Sequence, residues 1–192
     1  MNSVLIAIST CIVLISPLIY ALAILRGKAK PHRTTRLVLL IITALATASL
    51  FAQHDRVAIW LAGASTLQAS LIFYLSIRRG MGGWSKSDII CLLIAVLGIF
   101  LWQTTQNPLI ALYAAIISDF TGMVPALVKT YKYPETEIAS YFLLDVVAGT
   151  LSLTALSNWN IANYAYPLYI VGINAVMVIL IRFKLGKRLK TL

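Results

Sequence analysis

Apolar runs alternate with short polar clusters along the whole chain. Stretches with little or no charge cover residues 3–25, 37–52, 57–77, 89–102, 108–128, 138–156 and 162–181. An α-helix rises about 1.5 Å per residue, so roughly 20 residues cross a hydrocarbon core ~30 Å thick. Most of the runs reach or nearly reach that length. The run 37–52 can borrow Thr34 and Thr35, and 89–102 needs neighbours such as Ser87 and Gln103 to span. The pattern therefore predicts an all-α transmembrane protein of seven helices, forming a single integral membrane domain over residues 1–192. The first run has no basic flank before it and no small-residue cleavage site after it, and it exceeds a signal-peptide core in length. It reads as a retained span.

Composition supports this reading. Hydrophobic residues make up 60% of the chain and charged residues 11%, whereas a soluble domain carries about 25% charged residues. Too little polar surface remains to coat a globule in water. The net charge of +10 would suit a nucleic-acid partner, but the basic residues flank apolar runs instead of forming a basic helix or an aromatic-studded sheet. No nucleic-acid partner is expected, and the bilayer is. Cys11 and Cys91 lie inside apolar runs and read as small buried or lipid-facing residues.

The positions of the basic residues predict the topology. With seven crossings and the N-terminus outside, Arg26, Lys28, Lys30, Arg33 and Arg36 fall in the first cytoplasmic segment, and Arg78, Arg79 and Lys86 in the second. Lys129 and Lys132 fall in the third, and Arg182, Lys184, Lys187, Arg188 and Lys190 in a cytoplasmic tail. Of the 16 Lys and Arg only Arg56 is left outside, in agreement with the positive-inside rule. If the weak run 89–102 did not cross, Lys129, Lys132 and the tail would change sides, so charge supports the fourth span. The outer loops 53–56, 103–107 and 157–161 are short and poor in charge. Trp102, Trp159, Tyr164 and Tyr166 sit at predicted outer boundaries, where amphipathic rings act as headgroup anchors.

The two ends of the chain also resemble each other. Pro17 lies late in the first run and Pro125 late in the fifth, and each is followed by a basic stretch. A loop proline then comes next, Pro31 or Pro134, with a polar opening to the following helix. This predicts two three-helix repeats, 1–80 and 108–192, joined by a linker helix within 81–107, a 3+1+3 plan. A single linker helix gives both triplets the same orientation in the membrane, an arrangement found among transporters.

On these residues the chain resembles the SWEET and PQ-loop superfamily of small seven-helix transporters. The resemblance covers nearly the whole chain in architecture, and the segment Pro125–Glu137 is similar to a PQ-loop in its spacing of proline, lysine and polar turn. Leu18 and Ala126 stand where the family has the glutamine of its Pro-Gln pair. The resemblance thus implies a plan and not a sugar specificity.

Charged residues in the middle of a span cost about 2.5–3.5 kcal/mol on insertion scales and call for an explanation. Asp119 and Asp145 are such residues. Counted from the cytoplasmic ends, both lie roughly 10–14 Å deep, and the same count puts Gln68 and Asn174 in that layer. The four are the expected substrate-binding residues at a repeat interface. By the resemblance, Gln68 and Asn174 on the third and seventh helices match the asparagines that line the sugar site of SWEET proteins. Asp119 or Asp145 could bind a cationic group, carry a proton, or fix the bundle by bonding Thr121, Tyr141 or a buried backbone group. Pro17, Gly122 and Pro125 are candidate hinges, or else static kinks.

The expected function is SWEET-like transport of a small polar solute by alternating access. The alternative is a non-transporting receptor or adaptor on the same scaffold, and a homo-oligomer is compatible with both. No enzyme is expected, because His32 and His54 lie in loops and no Ser–His or Cys–His arrangement shares a depth. A retinal protein is excluded, since residues 162–181 contain no lysine. The pattern implies no cofactor and no metal.

Overall fold

The computed structural model describes residues 2–52, 58–83, 85–105, 108–156 and 158–184. Among them are seven α-helices and no strand: α1 Asn2–Leu25, α2 Arg33–Ala52, α3 Ala58–Arg79, α4 Lys86–Thr104, α5 Pro108–Lys132, α6 Ala139–Thr154 and α7 Ile161–Phe183. A 3-10 turn, Pro134–Thr136, sits between α5 and α6. One helix lies over each predicted apolar run. The two short runs lengthen as expected: α2 starts at Arg33 and takes in Thr34 and Thr35, and α4 takes in Ser87 and Gln103. Three described helices are long and apolar enough to cross a membrane, Val4–Leu25, Leu112–Lys132 and Asn163–Phe183. The predicted outer loop with His54 and Arg56, parts of the other two outer loops, the Trp102 side chain, and Lys187, Arg188 and Lys190 lie outside the described residues.

Local chemistry explains the helix ends. Gly27 adopts φ 72°, donates to the Ile24 carbonyl at 3.0 Å, and lets Lys28 N–H reach the Ala23 carbonyl at 2.8 Å. That is a Schellman end, which needs a residue without a Cβ penalty at the left-handed position. The α4 N-terminus has a capping box. Ser85 Oγ accepts from the Asp88 backbone N–H, and Asp88 Oδ2 accepts from the Ser85 backbone N–H, both at 3.2 Å. Asn160 caps α7 by accepting from the Asn163 N–H at 3.0 Å.

The helices pack in a regular scheme. α3 lies against both α1 and α2, and α7 lies against both α5 and α6. Across these groups, α1 packs on α6 and α2 on α5, while α4 packs on α5 and more lightly on α2. Among the described residues there are two hydrophobic clusters. One joins Tyr20, Ile24, Ile72 and Leu75 of α1 and α3. The other joins Met123, Phe142, Ile173 and Met177 of α5, α6 and α7. Tyr141 packs against both. Small residues set the closest approaches. A Cβ added at Gly122 of α5 would lie 2.5 Å from Val38 Cγ1 of α2, so this glycine serves close packing whatever it does as a hinge.

One end of the bundle is tied together by its connecting segments. Lys30 N–H donates to the Thr136 carbonyl at 2.8 Å, and Met81 N–H to the Pro31 carbonyl at 3.0 Å. Arg33 donates to the carbonyls of Gly80 and Gly82 at 2.8 and 2.9 Å. His32 is buried here, with Nε2 3.7 Å from Asp88 Oδ1. Burial holds its pKa below the ordinary histidine value, helped by the positive charges of Lys129 and Arg33 and opposed by Asp88. The folded protein therefore binds fewer protons at His32 than the unfolded chain does. The stability this gives is complete above the unfolded pKa of about 6.5 and is lost as pH falls below it. His32→Gln should flatten part of the fall in Tm between pH 7.5 and 5.5, and an unchanged slope would remove His32 from the account.

Candidate functional site

A cavity of about 400 Å³ lies at the centre of the bundle, within the size range of small-molecule sites. It is lined from α1, α2, α3, α5, α6 and α7, and α4 contributes no lining residue among those described. Most of the wall is apolar, with side chains such as Val13, Ile72, Met123 and Phe142. A few polar groups converge on it, as specificity requires.

Asp119, Asp145, Gln68 and Asn174 all line this one cavity. Asp119 is buried and accepts a hydrogen bond of 2.5 Å from the Tyr169 hydroxyl, between α5 and α7. Asp145 accepts from Ser16 Oγ at 2.7 Å, between α6 and α1. Neither aspartate uses the partners expected from sequence: Thr121 donates to its own helix at Ile117, and the Tyr141 hydroxyl accepts from Arg36. Gln68 donates to the Leu14 carbonyl of α1 at 2.7 Å, in the turn preceding Pro17. A proline there lacks an N–H and crowds the carbonyls before it, so an amide from α3 supplements the polar pairing of that turn. Asn174 is buried and donates to the Ile170 carbonyl at 2.8 Å. An amide that gives up one N–H in this way keeps another N–H and its carbonyl oxygen for other partners.

The three hinge candidates separate. Pro17 lines the cavity. Pro125 is buried within α5 and Gly122 packs on Val38, and neither is a lining residue. A third intrahelical proline, Pro167 of α7, does line the cavity and was not singled out from sequence, although its place inside an apolar run was the available signal. The anchors also divide. Trp159 is exposed and near Tyr164, with centroids 6.1 Å apart. Tyr166 reaches the cavity wall and neighbours Tyr169 at 6.1 Å while staying 38% exposed.

The largest omission is Arg36. In the charge pattern it is one more residue of a basic segment, yet it is buried at 7% exposure and lines the cavity. Tyr20 and Tyr141 hold it. Its guanidinium carbon lies 4.5 Å from the Tyr20 ring centroid and 5.4 Å from that of Tyr141, and Nη1 donates to the Tyr141 hydroxyl at 3.4 Å. The two rings stack on each other at 4.3 Å. Cation–π contacts return about 0.5–2 kcal/mol each, against several kcal/mol for desolvating a charge. On the far side of Tyr20, its hydroxyl donates to Glu137 Oε2 at 2.7 Å, and Glu137 is ion-paired with the buried Lys129. Lys129 Nζ also donates to the Lys30 carbonyl at 2.8 Å. Two basic residues read from sequence as surface charges therefore point inward.

Comparison with protein-family models, with curated proteins and with solved structures finds no match for this chain.

Proposed function

We propose that this chain is an integral membrane transporter with seven spans, its N-terminus outside and its C-terminus cytoplasmic, built on a SWEET-like 3+1+3 plan. It moves a small polar solute by alternating access between two three-helix repeats. The observation that carries the reading is the cavity: all six helices of the two triplets line it, and the linker helix α4 contributes no lining residue among those described. The packing scheme supports it further. Exchanging α1 with α5, α2 with α6 and α3 with α7 maps the α1–α3 contact onto α5–α7, α2–α3 onto α6–α7, and α1–α6 onto α2–α5. Such an exchange is what an axis along the membrane normal would produce. Large apolar side chains cover the outer faces, for example Leu93, Leu97 and Phe100 on α4, as suits contact with lipid.

In this reading Gln68, Asn174, Asp119 and Asp145 contact the solute, and Pro17 loosens α1 where it meets it. The test is uptake into proteoliposomes across a panel of sugars, amino acids, nucleosides and organic acids. At least one solute should enter faster than into empty liposomes, and Asp145→Asn or Asn174→Ala should slow that entry about tenfold or more while the protein stays folded. A bidentate or charge-assisted contact has that size. Full uptake by both variants would remove the site. Absence of flux, with a protein co-purifying instead, would favour an adaptor.

A further inference from the structure

We propose that the solute carries a carboxylate and that Arg36 receives it. The inference rests on the transporter reading of the cavity and names the substrate class. Arg36 is more than nine-tenths buried and lines the cavity, yet no carboxylate among the described residues lies within ion-pair distance of it, Glu137 and Asp145 acting on it only from farther away. Among the described residues the two side-chain ion pairs are Lys129–Glu137 and His32–Asp88, and Arg36 belongs to neither. Its Nε is buried with no hydrogen-bond partner, and the one hydrogen bond of its side chain among the described residues, to Tyr141, is long at 3.4 Å. A guanidinium has five N–H donors in a planar fork, and here Nε meets no acceptor and Nη1 only a distant one. Buried charges elsewhere are paired, as Lys129 is with Glu137 in this same bundle. A carboxylate entering the cavity would supply the missing partner in the geometry that the fork matches.

The remaining charges narrow the class. Asp145 lies one helical turn beyond Tyr141 on the same face of α6, beside the Arg36 end of the cavity, and Asp119 lines the cavity from α5. Two carboxylates disfavour a phosphate dianion, whose second charge would meet them with only one cation to offset it. A single carboxylate fits. If the solute also bears an amino group, Asp145 is the place for it, because the one side-chain hydrogen bond it accepts among the described residues comes from the neutral Ser16.

A matched set of probes tests this by isothermal titration against the full-length protein in nanodiscs. L-Leucine carries both groups, 4-methylpentanoate lacks the amine, leucinamide lacks the carboxylate, and glucose lacks both. One or both carboxylates should bind, with leucinamide and glucose at least about tenfold weaker. Binding by 4-methylpentanoate as well as leucine makes the carboxylate sufficient. Binding by leucine alone adds an ammonium requirement, which Asp145→Asn should then relax. Arg36→Gln should lose carboxylate binding, and Arg36→Lys, which keeps the charge but not the fork, should weaken it. The probe comparison on the unaltered protein needs no variant to fold. Equal or better binding of glucose or leucinamide, or of no carboxylate at all, overturns the proposal. Transport of a neutral solute in that case would leave the transporter reading standing, while absence of any flux would remove both.

Discussion

Replacing Glu137 by alanine is expected to lower the Tm of the purified protein by roughly 6–20 °C. The carboxylate is 6% exposed and its partner Lys129 is 5% exposed, so neither charge has bulk water to fall back on. Breaking a buried pair by removing one member costs about 3–5 kcal/mol, because the survivor is left as an uncompensated charge. At about 2–4 °C per kcal/mol for a chain of this size, that gives the stated range. The Lys30 carbonyl still accepts from Lys129 Nζ, which offsets a part of the loss but cannot neutralise the charge. The pair joins the end of α5 to the segment before α6, and through Lys30 to the segment after α1. The loss should therefore loosen the tied end of the bundle as a unit. A double variant, Lys129→Met with Glu137→Leu, removes both charges at similar volume and should recover part of the stability, the remainder being withheld by the buried Tyr20 hydroxyl, which still lacks its acceptor. A fall of under 3 °C in Glu137→Ala, or a double variant as unstable as the single one, would show that the pair does not hold this end together.

The helices were legible in the sequence because the physics behind them is one-dimensional. An apolar run of helical length needs no partner to be recognised, and α4 could be completed from its flanks with Ser87 and Gln103, both of which the helix takes in. Asp119, Asp145, Gln68 and Asn174 were legible for a related reason: a polar group in an apolar run stands out by position alone, and all four line one cavity. Arg36 and Lys129 were not. Each sits at the edge of an apolar run, where a basic residue has a sufficient explanation in headgroup contact. Whether such a residue turns outward or inward depends on neighbours supplied by distant elements. Arg36 lies on rings from α1 and α6, and Lys129 meets Glu137 and the Lys30 carbonyl. Tyr166 illustrates the converse. A tyrosine near the start of α7 satisfies the rule for a membrane anchor, and only the packing of α7 brings it to the cavity wall. The rings and cations that link the tied end to the cavity are therefore a tertiary feature, seen once six helices are in place.

Tyr20 is the joint between those two regions, and two substitutions should separate its roles. Its side chain is fully buried, at 0% exposure. The ring stacks on Tyr141 and carries Arg36 on its face, while the hydroxyl donates to Glu137. Tyr20→Phe deletes only the hydroxyl. A hydrogen bond to a charged group is worth about 1.5–3 kcal/mol, so Tm should fall by roughly 3–12 °C. Solute binding should persist, because the ring still supports Arg36. Tyr20→Ala also deletes the ring. Truncating a buried aromatic costs about 3–5 kcal/mol, and the two losses share neighbours, so they will not simply add. This variant should be the less stable of the two, and it should bind solute at least about tenfold more weakly than Tyr20→Phe, since a guanidinium released from its ring can leave the cavity wall. Melting curves and titrations on both proteins read the two effects separately. If Tyr20→Phe lost binding as completely as Tyr20→Ala, the hydroxyl–Glu137 contact would govern the cavity, and the ring would not be what positions Arg36.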